Sequence, residues 1–362
     1  MLLNLKTLSA VILANLQESS LLRIMNAIHE LVIFGHMALD SVVHVEERGA
    51  ITEKQSVGGA VTFASIAIKT MHDWMKVSIG SKIGRDFNLG LLSPFTQNDI
   101  DMDALVIDDT APSTKFELLY RGETRDLKCL SRCSMLKLDE FPDTITNTKR
   151  VHLGPLCGEI DASFLDDLAS RLNPDTIIGM DLQGFLRKTS KSGSITFRPR
   201  DEGIQILKQL HELFHGNLIC KGDDVEMQAI TGKTGMKDSI NYLIDKFPET
   251  VFLITAGRHG GIMGLKTKLK PMVMRFPAFQ PRQIKDETGA GDVFLSSFLT
   301  HLQPGNMAAS KYKDTVMFAS AAASFIVEQK GYQGAVSASK VRERMAKRNF
   351  LQEPRDWINY AR

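Results

Sequence analysis

Short apolar segments recur along this chain, and amphipathic helical patterns lie between most of them. The first segment, Leu31–Gly35, ends in glycine and is typical of a buried parallel strand. Similar segments are Val77–Gly80, Val151–Gly154, Thr176–Asp181, Leu218–Cys220 and Val251–Thr255, and clear helical patterns are Phe164–Leu172 and Ile204–Phe214. Strands that alternate with helices in this way predict an α/β fold, with a doubly wound, mostly parallel sheet flanked by helices.

Two regions depart from this alternation. Residues 42–57 and about 112–130 alternate apolar and polar side chains in steps of two, and the second contains the turn Arg121-Gly122-Glu123. Such strands suit a small antiparallel sheet with one face in water. Because both regions lie between early elements of the main sheet, we predict a small β lid that is inserted into the domain.

The composition narrows the class of protein. Of the 362 residues, 43% are hydrophobic and 24% are charged, which is the profile of a globular protein and not of a disordered or fibrous one. The formal net charge is +2, and no long block of like charge occurs, so we expect no nucleic acid partner. No apolar run reaches the roughly 18 to 20 residues that a membrane helix needs, so we expect no membrane partner either.

The cysteines and the chain ends bear on location and domain limits. The four cysteines are too scattered for a disulfide framework and lack the paired spacing of a zinc site, which favours a reducing, cytoplasmic location. Residues 1–24 are apolar without a convincing cleavage site, so we expect an N-terminal extension, helical or frayed. We expect the domain to span residues 25–348 and a C-terminal tail to follow at 349–362.

The segment from Asp286 to Asp292, Asp-Glu-Thr-Gly-Ala-Gly-Asp, carries the clearest chemical signal. It runs directly into an amphipathic helix, whose free N–H groups and dipole attract anionic oxygen. Gly289 and Gly291 leave room for a phosphate to approach the backbone. Asp292 adds a carboxylate, which phosphoryl transfer requires if a hydroxyl lies between it and the phosphate. The alternative interpretation is a capping aspartate after an ordinary glycine turn.

This segment resembles the D-x-T-G-A-G-D signature of the ribokinase-like (PfkB) carbohydrate kinase family. Other resemblances follow in family order between about Leu31 and Gly334: Gly35 with Asp40, a substrate-binding aspartate in the family; Gly58-Gly59 and Ile79–Phe87, the amino-terminal signature; and Thr255–Gly260, the turn near the nucleotide. The resemblance therefore covers most of the chain.

The resemblance implies an ATP-dependent kinase that phosphorylates an alcohol hydroxyl of a sugar, cyclitol or nucleoside, with a β lid that closes over the substrate. It implies that Asp292 is the catalytic base and that Gly289, Ala290 and Gly291 form an anion hole. The other implied residues are Asp40, Gly58 and Gly59 at the substrate, and Thr255, Gly257, Gly260 and Thr288 at the nucleotide. A homodimer through the lid is also implied by the family.

Several positions depart from the family pattern. The family organises magnesium through water with an N-x-x-E motif, and here Asp223 replaces the asparagine while Glu226 keeps the glutamate. Asp223 could still hold hydrated Mg²⁺, which favours carboxylate oxygens and retains several waters. The alternative is an acidic helix start. Phe63 and Ala38 stand where many sugar kinases have asparagine, which argues against ribokinase itself.

Polar residues also follow the predicted strand that ends at Asp181. Gln183 and Arg187 lie where α/β proteins commonly place ligands, and Arg187 could bind an acidic substrate group with two parallel hydrogen bonds. The alternative is a loop that faces solvent. With Gly58–Phe63 and Gly154-Pro155-Leu156, these residues resemble the branch of the family that contains myo-inositol kinases.

Two functions remain open from the sequence. The first is the ATP- and Mg²⁺-dependent kinase, and the second is a non-catalytic ligand-binding regulator on the same fold. The sequence keeps four residues that the catalytic site would use, Gly289, Gly291, Asp292 and Glu226. A protein that only binds a ligand has no physical need for that combination. The sequence therefore favours the enzyme.

Overall fold

A computed structural model of the protein describes residues 28–46, 49–52, 55–121, 124–268, 270–303 and 309–351. The predicted N-terminal extension and most of the predicted tail lie outside the described residues. The strands are β1 (Leu31–Phe34), β2 (Ala38–Glu46), β3 (Gly49–Thr52), β4 (Ser56–Gly58), β5 (Val77–Gly84), β6 (Asp101–Asp108), β7 (Thr114–Arg121), β8 (Thr124–Ser131), β9 (Arg150–Leu153), β10 (Ile177–Asp181), β11 (Arg187–Thr189), β12 (Ile195–Phe197), β13 (Leu218–Asp223), β14 (Val251–Thr255), β15 (Gly261–Lys266) and β16 (Pro271–Phe276). The α-helices are α1 (Ala60–Met71), α2 (Ser93–Gln97), α3 (Ala162–Arg171), α4 (Gln183–Leu186), α5 (Arg200–Leu213), α6 (Asp224–Thr231), α7 (Met236–Lys246), α8 (Ala290–His301), α9 (Ala309–Ile326) and α10 (Ala338–Lys347).

A nine-stranded sheet forms the centre, in the order β16-β15-β14-β13-β10-β9-β1-β5-β6. The seven strands from β14 to β6 in this order pair in parallel, and β15 and β16 extend one edge in antiparallel fashion. β1, β5 and β9 are buried along their whole length, because helices cover both faces of the sheet. The predicted doubly wound, mostly parallel sheet is confirmed.

The two faces of this sheet carry separate apolar layers. On one face, α1, α8 and α9 pack through residues such as Val61, Phe298 and Phe318. On the other face, α3 and α5 pack through residues such as Phe164 and Leu210. Among the described helices, none combines the length and the apolar character needed to cross a lipid bilayer. The four cysteines are buried thiols.

A second, smaller sheet has the order β3-β2-β7-β8, with β4 also paired to β2. β2 and β7 are parallel to each other, whereas the other pairs are antiparallel. The prediction of a purely antiparallel sheet was therefore wrong at this pair. The reason is that β2 follows β1 and β7 follows β6, so both enter the second sheet from parallel strands of the first. Its action as a lid and a dimer through it stay predictions.

A buried histidine ties the base of the second sheet to the main domain. His36 lies between β1 and β2, and its Nε2 donates to the carbonyl of Ser134 at 2.8 Å, beyond the end of β8. That bond leaves Nδ1 as an acceptor for the Thr114 hydroxyl, at 2.8 Å, at the start of β7. Burial lowers the pKa of His36, so the neutral ring that these bonds require is favoured.

Candidate active site

Polar residues from neighbouring parallel strands meet at one edge of the main sheet. The register pairs Asp181 of β10 with Lys221 of β13, and Asp223 at the end of β13 with Thr255 at the end of β14. Lys221 Nζ donates to Asp181 Oδ2 at 2.7 Å, and the two side chains are only 6% and 4% exposed. Asp181 and Lys221, from separate parts of the sequence, therefore form a buried ion pair, and the partly buried Asp223 and Thr255 lie at the neighbouring strand ends.

Helix α8 begins directly beside this group. Gly289 is its N-cap and has φ 80°, a left-handed conformation that favours glycine, and a side chain there would overlap the Phe63 ring. The Ala290 N–H donates to the Glu287 carbonyl at 3.3 Å. The N–H groups of Gly291 and Asp292 have no acceptor within the described residues. The Gly289 N–H has no acceptor there either, so free donors lie at 289, 291 and 292, and of the predicted anion hole the amide of Ala290 is held in the turn.

Asp292 has an unusual electrostatic environment. Its side chain is half-buried, and this burial is the main reason that its pKa rises to about 7. The nearby carboxylates of Asp181 and Asp40 raise the pKa further, whereas Lys221 and Arg187 oppose them. A carboxyl group with this pKa can exchange a proton near neutral pH.

Asp40 comes to the site from the second sheet. It lies on β2 with its carboxylate against the backbone of Gly58, where any side chain would overlap it. Gly59, which follows Gly58 in the sequence, is the N-cap of α1. The structure thus brings together the three residues predicted for the substrate from the amino-terminal half, and the field of Asp40 reaches Asp292.

Gln183 and Arg187 form a second polar arm of the site. With its amide oxygen turned towards Arg187, Gln183 accepts two hydrogen bonds from that guanidinium, at 2.8 and 3.0 Å. Arg187 also donates to the Leu156 carbonyl at 3.4 Å. Burial lowers the pKa of Arg187, and Glu226 and Asp181 oppose the change. The charges of Glu226 and Asp181 act on Arg187, so the segment that carries Gln183 and Arg187 belongs to the site. The alternative interpretation, a loop that faces solvent, does not hold.

Asp223 and Glu226 form a capping box at the start of α6. Asp223 Oδ1 accepts from the Glu226 N–H at 2.7 Å, and Glu226 Oε2 accepts from the Asp223 N–H at 2.8 Å. Burial, together with Asp181 and Asp223, raises the pKa of Glu226 to about 7, against the opposing charge of Lys221. Asp223 and Glu226 therefore form the acidic helix start of the alternative interpretation. The same two residues are those predicted to hold the metal.

The donor set of this box fits hydrated Mg²⁺. Each carboxylate uses one oxygen in the box, and the other makes no hydrogen bond within the described residues. Two such oxygens match an ion that prefers oxygen ligands and keeps several waters. No cluster of three or more histidine, cysteine or acidic side chains suited to a metal occurs in the described part of the chain. A magnesium ion here would therefore need ligands from water and from the phosphates as well.

A cavity of about 250 Å³ has Gly291 in its lining, whereas Lys221 and Asp181 are not part of that lining. Thr255, Gly257 and Gly260, the residues predicted to lie at the nucleotide, line it together with Ala290 and Gly291, and their role at a nucleotide stays a prediction. Its apolar walls include Phe276, Ala278, Phe279, Ile284, Phe294 and Ala323. The predicted Thr288 does not line it, and its N–H donates to Asp286 Oδ1 at 3.0 Å in the preceding turn. A flat apolar group would fit this cavity with its polar end towards α8.

Sequence reasoning missed Lys221 and the apolar walls of the cavity. A single lysine after a short apolar run gives no signal, because only the register of β10 and β13 places it against Asp181. The stacked rings of Phe276 and Phe294, 5.3 Å apart, come from an edge strand and from α8, and nothing in the sequence pairs them. These are long-range features that a local pattern does not contain.

Two curated proteins are similar to this chain over most of its length. The nucleoside kinase of Methanothermobacter thermautotrophicus is 25% identical over 329 residues, which are 84% of this chain and 91% of the relative. The cytidine kinase of Thermococcus kodakarensis is 22% identical over 282 residues, which are 76% of this chain and 89% of the relative.

Solved structures confirm the ribokinase-like fold. The fructokinase with bound ATP from Xylella fastidiosa superposes with a TM-score of 0.68 at 17% identity, and the match covers 88% of this chain and 98% of that one. The family model for pfkB family carbohydrate kinases matches residues 28–338, which is most of the chain and contains every residue of the site described above. The protein belongs to the PfkB family of carbohydrate kinases.

Proposed function

We propose that this kinase transfers the terminal phosphoryl group of ATP to a hydroxyl of a nucleoside or a related small polyol, with Asp292 as catalytic base. The observation that carries the proposal is the position of Gly291. On one side it lines the apolar cavity, which suits an adenine ring. On the other it adjoins Lys221 and Asp181, whose charges act on Asp292. A phosphate chain that leaves the cavity along α8 would therefore arrive beside the base.

The residues divide the reaction between them. The Asp292 carboxylate would orient the acceptor hydroxyl and take its proton, while the hydroxyl oxygen bonds to phosphorus and the bond to the bridging oxygen breaks. ADP leaves with the electron pair of that bond. The free N–H groups of Gly291 and Asp292 would stabilise the charge on the transferred oxygens. Asp223 and Glu226 would hold Mg²⁺ through water, and the ion would neutralise phosphate charge.

The acceptor class is argued from the site and from the relatives. Asp40 offers a carboxylate to paired hydroxyls, as a ribose ring presents them, and Arg187 offers a guanidinium to a polar group farther along the substrate. The two curated relatives are named as kinases of nucleosides, which supports a nucleoside acceptor. The predicted myo-inositol branch makes a cyclitol the second candidate.

The test is an acceptor panel with ATP and Mg²⁺. Cytidine, uridine, adenosine, ribose, fructose and myo-inositol are compared by ADP release, and the product is identified by ³¹P NMR. We expect turnover with at least one nucleoside. Asp292→Asn should lower kcat by at least about 100-fold while ADP affinity stays within a few-fold, because only proton transfer is lost. Asp245→Asn, an exposed residue paired with Lys266, is the matched control.

Two outcomes would contradict the proposal. Near-normal activity of Asp292→Asn would exclude this residue as base. Tight ATP binding without turnover on any acceptor would favour the non-catalytic regulator.

A further inference from the structure

Lys221 is a buried cation that the proposed reaction has not yet used. Its ammonium makes one hydrogen bond within the described residues, to Asp181. An ammonium has three N–H donors, so two are left without a protein acceptor although the side chain is only 6% exposed. Buried donors are rarely left unsatisfied, because an unmade hydrogen bond in the interior is unfavourable. The arrangement suggests that a ligand supplies the missing acceptors.

The position of the ammonium indicates which ligand that is. A methyl group added to Gly291 would lie 2.6 Å from Lys221 Nζ, so the ammonium lies directly beside the backbone at the start of α8. The free N–H groups of Gly291 and Asp292 are at the same helix start. Cationic and backbone donors thus converge on one place, which is the combination that binds a phosphoryl group.

Charge alone does not explain this lysine. If it served only to neutralise Asp181, its ammonium could lie anywhere around that carboxylate. Instead it lies between Asp181 and α8, where the carboxylates of Asp181, Glu226 and Asp292 all act on it. The 2.7 Å ion pair with Asp181 favours the charged form of this lysine.

We propose that Lys221 is a further catalytic residue, which donates its two remaining N–H groups to oxygens of the transferred phosphoryl group. The proposal rests on the function proposed above. Lys221 keeps all its protons throughout: the acceptor proton goes to Asp292, and the leaving electron pair goes to ADP. Asp181 is a positioning residue that holds the ammonium towards α8.

The experiment compares Lys221→Met, Asp181→Asn and the double variant, with Lys208→Met as an exposed-lysine control. For each protein, kcat, KM for the acceptor and the dissociation constants of ATP and ADP are measured, and folding is checked by circular dichroism. In Lys221→Met we expect kcat to fall by about 10² to 10³-fold, as for loss of one oxyanion donor. ATP affinity should fall by more than ADP affinity, because only ATP carries the phosphoryl group that Lys221 contacts.

The double variant separates the two roles of the lysine. It restores the charge balance of the buried pair, so a purely neutralising lysine predicts that its activity recovers to that of Asp181→Asn. A lysine that contacts the phosphoryl group predicts no recovery. Recovery in the double variant, or equal losses of ATP and ADP affinity in Lys221→Met, would overturn the proposal. If Lys221→Met does not fold, Lys221→Arg, which keeps the charge with different geometry, is compared with the double variant instead.

This design also distinguishes failure of the proposed function itself. If the wild-type protein binds ATP but phosphorylates nothing, the function proposed above fails. The comparison of ATP with ADP affinity still tests the contact of Lys221 with the terminal phosphate.

Discussion

Single residues decide the chemistry at this site, and the surroundings of Asp292 change its pKa strongly. Its carboxyl group shares the site with those of Asp181 and Asp40, and the charges of Lys221 and Arg187 oppose them. An aspartate in water would be a weak base with a pKa of about 4. Burial with like charges makes this one a stronger base near neutral pH.

The first prediction is a pH dependence of catalysis. The proposed base, Asp292, could accept the hydroxyl proton only when ionised, and its pKa is about 7, so kcat/KM should rise about tenfold per pH unit below that value and level off above it. Loss of Lys221, which lowers the pKa of Asp292, should move the profile of Lys221→Met to higher pH. The measurement is kcat/KM between about pH 5 and 9. A flat profile across this range contradicts the assignment.

The same carboxyl group affects stability with the opposite sign. Because the folded state raises its pKa, the folded protein holds a proton that the unfolded chain releases, and the free energy of unfolding falls as pH rises from about 4 to about 7. We therefore expect Asp292→Asn to raise Tm at pH 8, with a smaller difference at pH 4. Thermal unfolding followed by circular dichroism at both pH values measures this. If Asp292→Asn is less stable than wild type at pH 8, the prediction that ionised Asp292 destabilises the folded protein is wrong.

Among the elements, the start of α6 combines a structural and a chemical role in one aspartate. Asp223 caps the helix and is also a proposed magnesium residue. Asp223→Ala should lose the cap and about 1 kcal/mol of the free energy of unfolding, measured by urea denaturation. Asp223→Ser keeps a capping hydroxyl but no charge, so its stability should stay near that of wild type. Both variants should need more Mg²⁺ for half-maximal activity, and a normal requirement in Asp223→Ser would leave Asp223 as a cap alone.

Element bounds show what the sequence could predict. The strand Val251–Thr255 was predicted with its observed ends, because its apolar run stops where the turn begins. β5 extends to Gly84, four residues beyond the predicted end, because Ser81 and Lys82 are buried in spite of their polarity. Likewise α5 starts at Arg200 and not at Ile204, since its first three residues are polar and exposed and show no apolar periodicity.

The site was predicted unevenly for a related reason. The glycines and aspartates of short motifs, such as Gly289 and Asp292, can be read locally because helix starts and turns are local. The pairing of Lys221 with Asp181 could not be predicted in this way, because it depends on which strand lies beside β13. The lysine itself carries no pattern, and a parallel sheet gives no short-range clue to strand order.

At the scale of the whole molecule, the two sheets meet at His36, and its two hydrogen bonds should hold the second sheet in register with the first. His36→Leu leaves the Ser134 carbonyl without its donor and the Thr114 O–H without its acceptor, although the Thr114 oxygen still accepts from the Cys133 N–H, so we expect a loss of about 1–3 kcal/mol in the free energy of unfolding. KM for the acceptor should rise more than KM for ATP, because Asp40 lies on the second sheet. His215→Leu, an exposed histidine, is the control. Equal changes in both KM values would contradict this coupling.

Nucleotide binding should also stabilise the whole domain. The cavity is lined by β14, β16, α8 and α9, so a ligand there joins elements from distant parts of the chain. ATP at 100 times its dissociation constant should add about 2.7 kcal/mol to the free energy of unfolding. Ala323→Trp would fill the cavity and should abolish the shift in Tm, whereas Ala169→Trp, on the outer helix α3, should keep it. A normal shift in Ala323→Trp would place the nucleotide elsewhere.

The charged residues of the site are divided between the two sheets, and this division bears on how much ATP is hydrolysed without an acceptor. Asp292, Lys221 and Asp181 belong to the rigid main sheet and its helices, whereas Asp40 is carried on a strand of the small sheet. If the second sheet acts as the predicted lid, an acceptor bound between the two parts would contact Asp40 from one of them and Asp292 from the other. We therefore expect ATP hydrolysis by water to be slow in the absence of an acceptor alcohol, because Asp40 would hold no acceptor hydroxyl in place beside Asp292.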